Sequence, residues 1–265
     1  MSSFRRPVGL RFWLIGLAAV IGMVATASLG RWQLSRADEK LALQHMLDAR
    51  GQLPAIDGAD LVARLSSASA TKNTAASATP FQGWVHRNVV LEGQWLPAHT
   101  VYLDNRQMQG RPGFFVMTPL QLKSGGVVLV QRGWAPRNFQ DRLQLPQVQT
   151  LAGDVRVQGR LAVAPSRLYE FAGGDQALGS SRIRQNLDLA AFRTETGLAL
   201  ADLTVLQLGA ASEGLQRDWP VIGAGVDKHY GYAFQWFGLC GLIALLYVWF
   251  QLVRRFIRPR SQPAA

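Results

Sequence analysis

Cysteine is nearly absent from this sequence of 265 residues, and charged residues are few. The one cysteine, Cys240, lies within an apolar run, so no disulfide can form within the chain. Charged residues make up 17% of the sequence and hydrophobic residues 48%, a balance that excludes a disordered chain and supplies apolar side chains for a core. The fold must therefore depend on apolar burial and hydrogen bonding.

Acidic residues are missing from both ends of the chain. Residues 1–30 and 229–265 contain none of the 17 acidic residues. The segment between them is nearly balanced in charge and has no basic stripe, so nucleic acid is not expected as a partner despite the net charge of +11. The basic residues of the two ends are Arg5, Arg6, Arg11, Arg254, Arg255, Arg258 and Arg260.

Two apolar runs without charge lie just inside these basic ends. Residues 12–29 form a run of 18 and residues 231–253 a run of 23, and a helix of about 20 residues crosses the core of a bilayer. Basic residues stay preferentially on the cytoplasmic side, so we expect both termini in the cytoplasm. The sequence therefore predicts a protein of the bacterial inner membrane, in contact with lipid, whose central domain is periplasmic.

The chain is predicted to divide into five segments. They are a cytoplasmic tail (1–11), a transmembrane helix (12–30), a periplasmic domain (31–228) with a flexible loop (66–79), a second transmembrane helix (229–253) and a cytoplasmic tail (254–265).

The first apolar run has an alternative interpretation as a cleaved signal peptide, because Ala25 and Ala27 form an A-x-A site. Small residues at every fourth position favour a retained helix that packs closely against another: Ala18, Gly22, Thr26 and Gly30. Beyond Gly30 the amphipathic pattern predicts that this helix continues to about Arg50.

The central domain is predicted to be strand-rich, of the α+β class. Short runs rich in Val, Leu, Phe and Tyr alternate with Gly, Pro and Asn turns. Lys123–Gly126 fits a hairpin loop, Asp188 is a candidate cap for a helix that ends at Gly197, and a further strand follows. We expect an antiparallel sheet, either curled into a barrel or covered by helices. The strand candidates begin near residues 88, 100, 114, 127, 154 and 203.

Signatures of enzyme active sites are absent from the sequence. It contains no G-x-S-x-G, no H-E-x-x-H, no phosphate-binding glycine loop and no cysteine pair. His45, His86 and His99 are scattered, and we interpret each as an ordinary surface or core residue. Catalytic residues are therefore not expected, and a tethered periplasmic hydrolase is the least favoured function.

Two polar clusters in the domain are candidates for binding a partner. The first is Asp104, Asn105 and Arg106 at a strand end, and the second is Arg132 and Trp134. Each has a structural alternative. Asp and Asn favour turns, Arg106 is suited to an ion pair with Asp104 or another carboxylate, and a tryptophan between arginines suits a cation-π clamp.

His229 is the one histidine at the edge of an apolar run, directly before the aromatic segment HYGYAFQWF. Histidine is a common haem ligand, and an ionisable residue in a membrane helix is a candidate for function. On a helix, Tyr232 and Trp236 would lie on the same face as His229, a surface suited to a flat ring with a metal centre. The alternative is a polar residue within the aromatic belt of the interface.

Four motifs occur in order along the chain. They are LGRWQLSR at 29–36, LDNR followed by GRPGFFVMTPL within 103–120, VQRGWAPR at 130–137 and HYGYAFQWF at 229–237. Together they resemble the surfeit locus protein 1 family of cytochrome c oxidase assembly factors. Asp227 and Lys228 depart from the family pattern, which often has asparagines there.

The resemblance implies a role in building the haem-copper oxidase, by binding haem a and assisting its placement in the catalytic subunit. It implies that His229 ligates the haem iron transiently and that Tyr232 and Trp236 line the same site. The domain would bind the oxidase catalytic subunit or another assembly factor through the two polar clusters. The rival hypothesis is a haem-free, membrane-anchored chaperone or scaffold, for which His229 is dispensable.

Overall fold

The computed structural model describes residues 9–71, 81, 83–141, 144–162, 165, 168, 181–219 and 225–253. The chain divides into two compact units. A helical unit combines residues up to His45 with those from Val221 onward, and a sheet unit comprises Met46–Pro220. Both predicted tails fall largely outside the described residues.

The described part of the helical unit contains two long apolar helices. Helix α1 spans Leu10–Gly51 and helix α4 spans Val226–Tyr247, followed by a π-helical segment, Val248–Val253. Both are long and apolar enough to cross a membrane. The prediction that the first span continues as a helix to about Arg50 is confirmed, and Pro54 follows shortly after its end.

Among its described residues, the sheet unit contains eight strands and two shorter helices. The strands are β1 (Ile56–Asp57), β2 (Asn88–Trp95), β3 (Val101–Met108), β4 (Arg111–Leu122), β5 (Val127–Pro136), β6 (Asp154–Ala162), β7 (Ile183–Arg184) and β8 (Leu200–Gln207). The helices are α2 (Gly58–Thr71) and α3 (Leu189–Thr196), and a 3₁₀ turn covers Pro97–His99. Each predicted strand is present within a few residues of its expected position.

Five of these strands close into a barrel. The order β2-β6-β8-β5-β4 returns to its start because β2 also pairs with β4. The prediction of an antiparallel sheet is correct for most of the ring, but β5 and β8 are parallel, with Val130 opposite Val205. The chain can reach a parallel partner there because a long segment that includes β6, β7 and α3 separates the two strands.

Alternating side chains of all five barrel strands form one apolar cluster. It includes Leu91, Leu120, Val130, Val157 and Val205, all of them at most 1% exposed. Such clustering is expected where one face of every strand points into a closed barrel.

Local signals in the sequence correctly predicted one hairpin loop and both ends of one helix. Lys123–Gly126 connects β4 to β5. The carboxylate of Asp188 accepts hydrogen bonds from the amides of Ala190 and Ala191 at 3.0 and 2.9 Å, and α3 ends at Gly197. The predicted loop at 66–79 is wrong in its first part, because residues 66–71 belong to α2. Serine and alanine tolerate a helix well enough to extend it. Residues 72–79 lie outside the described residues.

Candidate functional site

Helices α1 and α4 pack against each other in antiparallel directions. A Cβ on Gly30 would lie 2.8 Å from the Phe237 ring, and one on Gly22 would lie 3.4 Å from Ile243. At Gly30 no larger side chain fits without displacing that ring. The small-residue pattern of the first span therefore corresponds to a close helix contact.

One face of α4 is a seam of buried or partly buried residues. The spacing alternates between three and four residues, as in a helix that packs along one stripe. His229 and Trp236 belong to this seam, whereas Tyr232 lies beside it and is 51% exposed. The seam comprises Val226, His229, Ala233, Trp236, Cys240, Ile243 and Tyr247. The structure therefore brings His229 and Trp236 to one face, two turns apart, with Tyr232 on the adjoining exposed face.

His229 meets a polar side chain of α1. Its Nδ1 atom lies 2.7 Å from Oε1 of Gln33, a hydrogen-bond distance. An amide oxygen can only accept, so the proton of this hydrogen bond belongs to Nδ1. A ring that carries its single proton on Nδ1 has its lone pair on Nε2.

This arrangement fits a haem iron. A haem protein ligates iron with an imidazole nitrogen while the other ring nitrogen donates to an oxygen acceptor. Among the described residues there is no group of three or more His, Cys, Asp or Glu side chains that could hold a bare metal ion. A haem iron would need fewer ligands from the chain than a bare metal ion, because the porphyrin would supply most of them.

In the sheet unit, two sequence motifs meet through a buried indole. Trp134 in β5 is fully buried, and its Nε1 donates a hydrogen bond of 2.8 Å to the carbonyl oxygen of Arg106 in β3. The Arg106 guanidinium is itself buried and donates to the carbonyl oxygen of Gln185 at 2.8 Å and to Oδ1 of Asn186 at 3.2 Å. Burial lowers the pKa of Arg106 from its ordinary value.

Arg132 is the centre of a second buried network. Its side chain is fully buried, lies 2.9 Å from the Glu213 carboxylate and stacks 4.6 Å from the centre of the Trp95 ring. Glu213 also pairs with the nearly buried Arg217 at 3.2 Å. One carboxylate therefore neutralises two interior arginines, and the cation-π partner of Arg132 is Trp95 rather than its neighbour Trp134.

Asp104 and Asn105 occupy an irregularity in β3. The β3–β4 register shifts between Leu103 and Arg106, and Asn105 adopts a positive φ of 58°. Asp104 forms an ion pair with Arg137. Both residues line an open cleft of about 370 Å³ together with Arg137, Ile183, Arg184 and Gln185.

The five partner-binding candidates thus occupy two kinds of position. Asp104 and Asn105 are accessible from the cleft, whereas Arg106, Arg132 and Trp134 are at most 3% exposed and hold the domain together. Their role in binding a partner stays a prediction, and the accessible pair is better placed for direct contact.

Sequence reasoning missed Gln33, Glu213 and Arg217. Gln33 lies within the motif LGRWQLSR, and the signal available was an uncharged amide just beyond an apolar run. Glu213 and Arg217 lie in a segment without periodicity, so nothing local marked them as buried partners of Arg132.

A closed five-stranded barrel between two membrane-length apolar helices in the sequence defines a class of helix-anchored barrel proteins. A profile of the SURF1 family matches residues 20–241, which covers the barrel and most of both helices. The chain therefore belongs to the SURF1 family, a family of oxidase assembly factors.

Individual relatives agree with this assignment. The chain is 27% identical to the SURF1-like protein of Rickettsia felis over 243 residues, 88% of this chain and 94% of that protein. It is 28% identical to the SURF1-like protein of Rickettsia conorii over 252 residues, 90% of both. The SURF1-like protein of Dictyostelium discoideum is 28% identical over 123 residues, 46% of this chain and 43% of its own length.

Proposed function

We propose that this chain binds haem a transiently through His229 and assists its insertion into the catalytic subunit of cytochrome c oxidase. The observation that carries the proposal is the 2.7 Å contact between Nδ1 of His229 and Oε1 of Gln33, which leaves Nε2 suited to an iron ligand. Family membership supports the wider role in oxidase assembly.

The surroundings of His229 suit a flat apolar ring. Trp236 lies on the same helix face and Tyr232 beside it, so aromatic surface is available to a macrocycle bound at Nε2. Apolar side chains between the helices would bury the isoprenoid tail of haem a. If haem a binds here, His229 would hold its iron, and the haem would supply an iron centre whose protein ligand can be exchanged. A single protein ligand would allow release to the oxidase.

We place the chain in a bacterial inner membrane with both termini cytoplasmic and the barrel periplasmic, on the basis of the basic ends. Thiol labelling of intact cells tests this orientation. In a Cys240→Ser background, Asn105→Cys should react with a membrane-impermeant maleimide without lysis, because Asn105 is exposed. Reaction only after lysis would reverse the orientation.

Haem loading tests the proposal directly. The protein is expressed together with haem a synthesis and purified in detergent, and the extractable haem a per chain is measured. Wild type should carry haem a, and His229→Ala should lose it or show an altered absorption spectrum. His45→Ala is the matched control, because His45 is an exposed histidine of α1, and it should load like wild type. Full loading of His229→Ala would contradict the proposed ligand.

A haem-free scaffold is the second candidate function. The observation that favours it is the burial of Arg106, Arg132 and Trp134, because these motif residues shape the barrel domain rather than a haem site. On this account the accessible Asp104 and Asn105 contact an oxidase assembly intermediate. Haem-free protein that still rescues oxidase assembly would favour the scaffold over the haem carrier.

A further inference from the structure

The contact between Gln33 and His229 joins two side chains that the sequence separates by 196 positions. Close packing of the helices brings them together, because Gly30, one turn before Gln33, admits the Phe237 ring. Gln33 is partly buried on α1, and His229 is partly buried on the seam of α4. The pair therefore lies where the two helices meet, at the end of α4 that precedes the apolar run.

The identity of the facing amide atom decides the chemistry of the imidazole. With Oε1 toward Nδ1, the proton is on Nδ1 and the lone pair is on Nε2. With the amide reversed, an amide N–H would donate to Nδ1, and the proton would move to Nε2. Only the first arrangement, which is the one in the structure, presents a basic Nε2 to a metal.

We propose that Gln33 is a positioning residue that holds His229 in the Nδ1-protonated tautomer and fixes the ring so that Nε2 can ligate a haem iron. This inference rests on the proposed haem function for its purpose. The tautomer of His229 and its dependence on Gln33 can both be measured without haem. Outer hydrogen-bond partners of this kind typically change metal affinity by about 10- to 100-fold when removed.

The first test determines the tautomer of the His229 imidazole. The chain contains four histidines, so ¹⁵N NMR of the detergent-purified protein with ¹⁵N-labelled histidine gives a small set of signals. Comparison with His229→Ala assigns the signals of His229. Wild type should show a protonated Nδ1 and a bare Nε2 for His229. Gln33→Met, which keeps the length but removes the strong acceptor, should shift the population toward Nε2 protonation. A wild-type His229 protonated at Nε2, or an unchanged tautomer in Gln33→Met, would overturn the inference.

The second test measures affinity by titrating detergent-purified protein with ferric haem a. Gln33→Met should weaken binding about 10- to 100-fold, whereas Gln33→Glu, which restores an acceptor, should recover it and shift the absorption bands. Gln235→Met is the matched control, since Gln235 is an exposed amide on α4, and it should bind like wild type. A thermal melt of each apo variant separates loss of affinity from loss of fold.

The outcomes separate this inference from the proposed function. If His229→Ala abolishes binding while Gln33→Met matches wild type, the haem site stands and the role of Gln33 is overturned. If His229→Ala binds haem a as wild type does, the proposed ligand fails, and the role of Gln33 in haem ligation fails with it, even where the tautomer changes as expected. Loss of binding in Gln33→Met with recovery in Gln33→Glu supports both.

Discussion

The indole nitrogen of Trp134 donates a 2.8 Å hydrogen bond to the backbone oxygen of Arg106, so the motifs LDNR and RGW meet inside the domain. Gly113 completes the contact, because a Cβ there would lie 2.5 Å from the Trp134 ring and 2.2 Å from the carbonyl oxygen of Ala135. Three separated motif residues thus form one packing unit, whose integrity can be tested by adding a single methyl group.

Gly113→Ala should destabilise the barrel domain. The new methyl group would overlap backbone as well as the ring, and overpacking of this kind costs about 1–3 kcal/mol. Thermal unfolding followed by tryptophan fluorescence measures the change. Gly83→Ala is the control, because nothing lies within 4 Å of a Cβ at Gly83. Equal melting temperatures for the two variants would show that the close contact is absent in solution.

Glu213→Gln should be among the most damaging polar substitutions in the domain. Removal of one partner of a buried ion pair costs about 3–5 kcal/mol, because the remaining charge stays in the interior. The low end is expected here, since Arg132 also donates to Thr150 and to the carbonyl oxygen of Gln149. Glu39→Gln breaks an exposed pair with Arg36 and should cost under about 1 kcal/mol. Urea unfolding of both variants gives the comparison, and similar losses would refute the role of the buried network.

Protonation of His86 should lower the stability of the folded barrel domain in mild acid. Burial, followed by the charges of Arg160 and Arg50, lowers the pKa of His86 below its ordinary value of 6.5. The unfolded chain then binds a proton more readily than the folded one. The stability that neutral His86 contributes is present above pH 6.5 and is lost as the pH falls through the lower folded pKa.

His86→Asn should reduce this acid sensitivity. His86 has a positive φ of 73°, a conformation that asparagine tolerates, so the variant should fold. Melting temperatures at about pH 7.5 and pH 5.5 should differ less for the variant than for wild type. An identical pH dependence would show that His86 does not carry the effect.

Gly30→Leu should separate α1 from α4. The leucine would occupy the position of the Phe237 ring, which lies 2.8 Å from the Cβ site. Cys240 provides a probe, because its sulfur lies 3.5 Å from the carbonyl oxygen of Met23. In a Met23→Cys background, Gly30→Leu should lower the yield of the oxidative crosslink to Cys240. Gly238→Leu, at an open position, should leave it unchanged, and equal yields would contradict the packing.

Local patterns in the sequence predicted much of the fold. Charge-free runs identified both long helices, turn chemistry identified the Lys123–Gly126 hairpin, and the Asp188 cap and Gly197 bounded α3. Each of these signals acts over a few residues. The parallel pairing of β5 with β8 and the closure through β2 and β4 depend on contacts between distant segments, which periodicity does not encode.

Only part of the candidate site could be predicted from the sequence, because the rest depends on contacts between distant segments. An aromatic segment at the start of a span marked His229, but Gln33 is its neighbour only after the helices pack. In the sequence Arg106 and Arg132 are candidates for binding a partner or for a structural role, and the structure buries both. Their burial depends on Glu213, Asn186 and a ring that lie elsewhere in the chain.

We propose that His229 holds haem a for transfer to the oxidase. The most direct measurement is the ratio of haem a to catalytic subunit in oxidase purified from a strain that lacks this chain and is complemented with wild type or His229→Ala at matched levels. Wild type should restore the full ratio, and His229→Ala should leave the subunit deficient in haem a. A full ratio with His229→Ala would contradict the account and assign the chain a haem-free role in assembly.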